Sequence, residues 1–142
     1  MRVMAIDYGD ARTGVAVSDL SAAITGDAWV IHSKNSKETA QIICTQAKAR
    51  GVGVIVVGYP KNMDGTIGPR AEKCEAFAQM LRNESGLEVA LLDERMTTKS
   101  AHRILTETGR HGKKRKNTID AVAASLILES YINSEFAIRN SE

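Results

Sequence analysis

The stretch VMAIDYGDARTGVAVS, residues 3–18, decides the fold. Two apolar runs with β-branched residues flank a short turn that contains Gly9, a pattern typical of two antiparallel strands joined as a hairpin. The first run ends in Asp7. A carboxylate on a buried strand is costly unless a metal ion, a proton or a hydrogen bond satisfies it. Asp7 therefore either belongs to a functional site or caps the turn beside Gly9.

Composition indicates one soluble globular domain. The chain has 142 residues, with 43% hydrophobic and 25% charged residues, which are ordinary values for such a domain. The longest apolar run, residues 52–57, is too short to span a membrane, and the N-terminus lacks a secretory apolar region. Cys44 and Cys74 have no metal-binding spacing and are expected to be buried thiols in a reducing compartment. We expect a cytoplasmic protein in which residues 1–134 form the domain and residues 135–142 form a frayed tail.

The order of the predicted elements specifies a mixed sheet. Strands are predicted at residues 2–8, 12–19, 28–32, 52–58 and 87–92. Helices are predicted from Asn35 to Gly51, Pro69 to Gly86, Thr97 to Gly109, and Thr118 to about Ser134 with Asn117 as its N-cap. Three antiparallel strands come first, and strands separated by helices must then pair in parallel. This is an α/β arrangement, a mixed five-stranded sheet with helices on both faces, in the order of the ribonuclease H-like fold.

Three carboxylates are predicted to meet at one edge of this sheet. Asp7 ends the first strand, Glu94 follows the fifth, and Asp120 lies in the first turn of the predicted last helix. Ligands of open α/β sheets gather at the carboxyl ends of the strands. Three carboxylates would repel one another there unless they share a divalent cation. Mg²⁺ or Mn²⁺ at such a site would activate water against a phosphodiester, with two ions in the usual arrangement.

Two of these acids have other interpretations. Asp120 comes three residues after Asn117 and would also favour a helix N-terminus. Glu94 would also pair with Arg95 or cap the turn before Thr97. The fifth strand is not expected beside the first, so Glu94 must lean inward across two strand spacings, about 10 Å. Asp7 is therefore the strongest candidate of the three.

Positive charge is concentrated in residues 110–117. This segment holds five of the 19 basic residues and no acid, and without it the chain has 14 basic against 17 acidic residues. Such a segment suggests a local grip on a polyanion, although a merely solvated loop has the same composition. The candidate phosphate contacts are Arg12, Lys61, Arg70, Arg95, Arg110, Lys113, Lys114, Arg115 and Lys116.

Two of these cations have other interpretations. Arg95 would alternatively orient Glu94, and Arg70 would alternatively pack on its helix. Aromatic residues are only 4%, which favours recognition of a duplex or branched structure over base stacking.

Four ordered segments of the chain resemble the YqgF (RuvX) family. They are residues 5–9, 56–65, 92–98 with Ala101, and 119–124 with 127–131. The resemblance implies a Holliday-junction resolvase that is also assigned to maturation of the 5′ end of the small-subunit ribosomal RNA precursor. It places the family's acidic set at Asp7, Glu94 and Asp120. Related resolvases commonly end the fourth strand in a glutamate and carry two acids on the last helix. This chain has Gly58 in the first position, and near the start of the last helix it has Asp120 alone, with Asn117 and Ala124 where a second acid might sit.

We therefore expect a Mg²⁺-dependent nuclease that hydrolyses phosphodiester bonds in structured RNA or branched DNA and leaves 5′-phosphate and 3′-hydroxyl ends. The incomplete acidic set motivates an alternative, a non-catalytic nucleic-acid-binding scaffold with the same fold. A third interpretation is an ATP-handling domain, since the Asp-x-Gly hairpin also resembles the phosphate hairpin of actin-like and sugar kinases. A twofold homodimer would suit a symmetric junction.

Overall fold

The computed structural model describes residues 1–22, 25–94 and 112–141, with the backbone alone for residues 112–118 and 135–141. The strands are β1 (Arg2–Asp7), β2 (Arg12–Ser18), β3 (Thr25–His32), β4 (Val52–Tyr59) and β5 (Glu88–Asp93). The helices in this part of the chain are α1 (Ser36–Ala49), α2 (Pro69–Ser85) and α3 (Gly112–Ser141). None of the described helices is long and apolar enough to cross a membrane.

The five strands form one sheet in the order β3-β2-β1-β4-β5. β1 pairs antiparallel with β2 and parallel with β4, and β4 pairs parallel with β5. The predicted mixed sheet is therefore confirmed. β1 is its central strand, so Asp7 lies at the carboxyl end of the middle of the sheet.

Local signals start and end the first two helices where the sequence predicts. The Asn35 side chain accepts a hydrogen bond from the Glu38 N–H at 3.1 Å and caps α1. Pro69 takes the first helical position of α2, where its missing N–H costs nothing. Gly86 ends α2 with a left-handed φ of 70°, a conformation that favours glycine.

Helices cover both faces of the sheet. On one face, α1 and α2 bury a large apolar cluster that includes Ile43, Phe77 and Leu81. On the other face, α3 contributes Ala124, Ile127 and Leu128 to a smaller cluster. The second cluster is built on small strand residues, so α3 lies close to the sheet.

The structure corrects the predicted bounds of the last helix. α3 begins at Gly112 instead of Thr118, so Asn117 is not its N-cap and Asp120 is not in its first turn. The backbone of residues 135–141 is also helical instead of frayed. Lys and Arg are good helix formers, and no Gly or Pro follows Gly112, so nothing in the basic run or the tail ends the helix.

One further difference concerns β3. β3 begins at Thr25, earlier than the predicted residue 28, because its pairing with β2 continues to Ser18. The predicted helix from Thr97 to Gly109 lies outside the described residues.

Candidate active site

Asp7 lies between two glycines on the neighbouring strands. It pairs with Gly14 of β2, and the β4 register, in which Ile6 faces Val57, brings Gly58 to its other side. A Cβ at Gly14 would collide with the backbone carbonyl of Asp120 in α3, and a Cβ at Gly58 would collide with the Glu94 carboxylate. The two missing side chains thus make the room in which the acids approach Asp7.

Glu94 reaches Asp7 across β4. Leu92 of β5 packs in the cluster under α3, and side chains alternate along a strand, so Glu94 projects on the same face. Its carboxylate passes over Gly58, and the Asp7 and Glu94 carboxyl groups share a hydrogen bond. We call these two groups the carboxylate pair.

The carboxylate pair holds a proton near neutral pH. Burial, followed by the nearby charges of Glu94 and Asp120, raises the pKa of Asp7 to about 7. Burial also raises the pKa of Glu94, although the Arg70 guanidinium and the hydrogen bond from Asp7 oppose that shift. The protonated Asp7 carboxyl therefore donates to the Glu94 carboxylate, and the site requires a proton or a cation between the two groups.

Asp120 lies beside this pair but has another partner. Its Oδ2 is 3.0 Å from Nε of Arg12, with the side chains 18% and 37% exposed, respectively. It is close enough for its charge to raise the pKa of Asp7. Among the described residues, however, no three acidic, histidine or cysteine side chains are grouped closely enough to hold a metal. The structure thus brings Asp7 and Glu94 together and leaves Asp120 adjacent to them.

The turn after Asp7 is held by Thr13, a residue that sequence reasoning missed. The buried Thr13 hydroxyl accepts the Gly9 N–H at 3.4 Å and donates to the Gly9 carbonyl at 3.5 Å. Asp7 is directed to Glu94 instead, so the turn-cap interpretation of Asp7 is not needed. A threonine four residues after the turn glycine was the available signal.

Helix α2 fixes the same segment from the other face. The Tyr8 ring stacks on Phe77 with centroids 4.0 Å apart, and Arg70 Nη2 donates to the Tyr8 carbonyl at 3.2 Å. Lys73 lies 3.4 Å from a carboxylate oxygen of Asp10. The apolar stripe of α2 predicts that Phe77 is buried, but not that its partner directly follows Asp7.

The predicted cations occupy different surroundings. Arg12 pairs with Asp120, and Arg70 lies beside the carboxylate pair. Lys61 follows β4, with its Nζ 5.8 Å from the Tyr59 ring centroid. Lys113, Lys114, Arg115 and Lys116 lie on the first turns of α3, where the backbone alone is described. Arg95 and Arg110 lie outside the described residues.

Comparisons with known proteins agree with this architecture. A protein of Halothermothrix orenii that is named as a pre-16S rRNA nuclease is 44% identical over 133 residues, which are 94% of this chain and 95% of that protein. The RuvC of Thermus thermophilus, solved in complex with a Holliday junction substrate, aligns with a TM-score of 0.60 and 11% identity over 96% of each chain. The Holliday junction resolvase of fowlpox virus aligns with a TM-score of 0.54 and 14% identity, over 94% of this chain and 99% of that one.

At these identities the two structural matches establish the fold, which is the ribonuclease H-like fold of resolvases. A family model gives the more specific assignment, because it matches residues 1–134. The chain therefore belongs to the RuvX family, which is described as Holliday junction resolvase.

Proposed function

We propose that this protein is a metal-dependent nuclease that hydrolyses phosphodiester bonds in structured nucleic acid. Its substrate is the 5′ end of the 16S ribosomal RNA precursor, a Holliday junction, or both. The observation that carries the proposal is the carboxylate pair at the carboxyl end of the central strand, with Asp120 beside it. In this proposal residues 1–134 form the nuclease domain, and the protein works in the cytoplasm.

The donor set fits a hard divalent cation. Carboxylate oxygens are the ligands that Mg²⁺ and Mn²⁺ prefer, and a cation would replace the proton that the pair otherwise holds. Asp7 and Glu94 would hold the ion, and Asp120 would be the third ligand. A bound ion of this kind lowers the pKa of water and stabilises the charge on a departing oxygen.

Side chains around the pair would bind and orient the nucleic acid. Arg70 lies beside the carboxylates, so a phosphate near the pair would meet a guanidinium there. The basic residues 113–116 occupy the turns of α3 before Asp120, and at 1.5 Å per residue Gly112 is about 12 Å from Asp120 along the helix. In this proposal these residues contact the phosphates of the bound nucleic acid, together with Arg95, Arg110 and Lys61. A twofold dimer would offer two such sites to a symmetric junction.

Two observations favour a second candidate, a nucleic-acid-binding scaffold without catalysis. The Asp120 carboxylate is paired with Arg12, and β4 has Gly58 and Tyr59 at its end, where related resolvases commonly have a glutamate. Two carboxylates hold Mg²⁺ more weakly than three or four. The scaffold predicts salt-sensitive binding and no metal-dependent cleavage.

A cleavage assay distinguishes the two functions and the two substrates. A four-way DNA junction and a 16S rRNA precursor with its 5′ extension are each incubated with the protein and Mg²⁺, Mn²⁺ or EDTA. The nuclease proposal predicts cleavage of at least one substrate with either metal, no cleavage in EDTA, and products with 5′-phosphate ends. Binding of both substrates without cleavage under any metal condition would favour the scaffold.

A further inference from the structure

Arg12 and Asp120 form an ion pair across a long stretch of chain. The Nε to Oδ2 distance is 3.0 Å, and the partners are separated by 108 positions in sequence. Arg12 begins β2 two residues before Gly14, where α3 touches the sheet. The ion pair therefore lies near the carboxyl end of β1, where Asp7 pairs with Gly14.

The ion pair competes with any role of Asp120 beside Asp7. A carboxylate oxygen bound by a guanidinium N–H is a poorer ligand for a cation, because Arg12 repels that cation and occupies a lone pair. Asp7 and Glu94 instead share a hydrogen bond with each other, and Arg70 lies beside them. The site thus consists of the carboxylate pair and a third carboxylate that is bound by Arg12.

In this ion pair the Arg12 side chain is more accessible to solvent than Asp120. The Arg12 side chain is 37% exposed, against 18% for Asp120, so an anion from solvent reaches the guanidinium more readily than a cation reaches the carboxylate. A guanidinium binds a phosphate in two parallel hydrogen bonds, which makes phosphate a strong competitor for a carboxylate partner.

We propose that Arg12 is a positioning residue that withholds Asp120 from the carboxylate pair until a phosphate group of bound nucleic acid takes the guanidinium. Asp120 then completes a three-carboxylate metal site only when substrate is present. This coupling rests on the proposed nuclease function for the identity of the phosphate, but the withholding of Asp120 does not depend on it. Withholding Asp120 would keep the nuclease site inactive when no substrate is bound.

The withholding is tested by Mn²⁺ titration of the whole protein without nucleic acid, at about pH 8, with free Mn²⁺ measured by electron paramagnetic resonance. Arg12→Gln is expected to bind Mn²⁺ about fivefold more tightly than the wild type, since an ion pair of this exposure is worth about that factor. The gain should be absent from the double variant Arg12→Gln with Asp120→Asn. Arg50→Gln breaks the exposed ion pair with Asp27 at 3.4 Å and is the control for the same change of charge.

Two results would overturn the proposal. Unchanged Mn²⁺ affinity in folded Arg12→Gln would mean that Arg12 does not compete with the metal. A gain that persists in the double variant would mean that the loss of positive charge alone acts on the site. Arg12→Lys keeps the positive charge but cannot reproduce the hydrogen bond from Nε, so it is expected to show an intermediate gain in Mn²⁺ affinity. Near-ultraviolet circular dichroism checks that each variant is folded.

A kinetic readout separates this role from a structural one. In the cleavage assay, Arg12→Gln is expected to lower the Mg²⁺ concentration for half-maximal rate and to raise KM for the nucleic acid several-fold. A merely structural loss would not move these two constants in opposite directions, and parallel changes would contradict the coupling. If the wild type cleaves nothing, the nuclease proposal fails while the Mn²⁺ titration still decides whether Asp120 is withheld.

Discussion

Asp7 derives its chemistry from its position more than from its residue type. Glycines on both neighbouring strands let Glu94 and the backbone of α3 approach it, and burial beside those acids raises the pKa of Asp7 to about 7. An acid with this environment holds a proton that an exposed aspartate would lose. Ionising Asp7 therefore lowers the stability of the folded protein, and this loss grows as the pH rises.

The cost gives a prediction for stability. In metal-free buffer the free energy of unfolding of the wild type should fall by about 2 kcal/mol between about pH 5 and about pH 8, beyond the change seen in Asp7→Asn. The sign follows because the folded-state pKa, about 7, lies above the ordinary value of 3.8, so from about pH 5 up to about pH 7 the folded state keeps a proton that the unfolded chain has released. Urea denaturation in EDTA at both pH values measures the difference. Equal pH dependence in the two proteins would mean that Asp7 does not titrate in this way.

The sequence predicts Asp7 and Glu94 from their places at strand ends, and it also predicts that Glu94 must lean inward. It does not predict the proton shared between them, because that depends on how far burial excludes water. Nor does it predict Arg12 opposite Asp120, since two residues 108 positions apart have no local pattern in common.

At the scale of elements, the contact between α3 and β2 positions Asp120. The helix touches the sheet at Gly14, where any side chain would meet the Asp120 carbonyl. Hydrophobic periodicity predicts a last helix, but not the close approach at Gly14. The same kind of pattern misplaces the start of α3, because a run of Lys and Arg has the composition of a solvated loop and yet has high helix propensity.

Replacing this glycine should separate helix and sheet. Gly14→Ala is expected to destabilise the protein by about 1–3 kcal/mol, as overpacking does, and to lower the cleavage rate by displacing Asp120. Gly26→Ala on β3 is a matched control, because its Cβ would lie 3.4 Å from its nearest neighbours, an ordinary contact. Thermal unfolding and single-turnover cleavage measure the two effects. If the two variants lose stability equally, close approach at Gly14 is not required.

Helix α2, like α3, contacts the part of the sheet that positions the acidic side chains. Its Phe77 stacks on Tyr8, the residue that follows Asp7, at 4.0 Å. Phe77→Leu keeps an apolar side chain but loses the stack, which is worth about 1 kcal/mol. We expect lower kcat with little change in KM, because the loosened segment carries Asp7 and not the main phosphate contacts. A change confined to KM would contradict this assignment.

At the scale of the whole molecule, charge is divided between a slightly acidic body and one basic segment. The net charge is only +2, yet residues 110–117 hold five basic residues. With α3 helical from Gly112, residues 113–116 precede Asp120 on the same helix. The sequence predicts this concentration of charge, whereas its connection to Asp120 through one helix comes from the structure.

Salt dependence tests the basic segment. Replacing Lys113, Lys114, Arg115 and Lys116 with Gln should weaken binding to all nucleic acids and reduce the slope of log Kd against log salt by about 3. The Mg²⁺ concentration for half-maximal cleavage should be unchanged, because the segment is distinct from the carboxylate pair. Fluorescence anisotropy at several salt concentrations measures the slope. An unchanged slope would mean that these residues make no phosphate contacts.

The most direct test of the account is the single-turnover cleavage rate of Asp7→Asn at saturating Mg²⁺, on whichever substrate the wild type cleaves. Asp10→Asn is the control, since Asp10 lies in the same turn but is 73% exposed and pairs only with Lys73 among the ion pairs described. We predict that Asp7→Asn is at least about 10³-fold slower than the wild type, with its fold intact, and that Asp10→Asn cleaves at a rate close to the wild type. Cleavage by folded Asp7→Asn as fast as by the wild type would contradict the central claim that Asp7 is the principal carboxylate of a nuclease site.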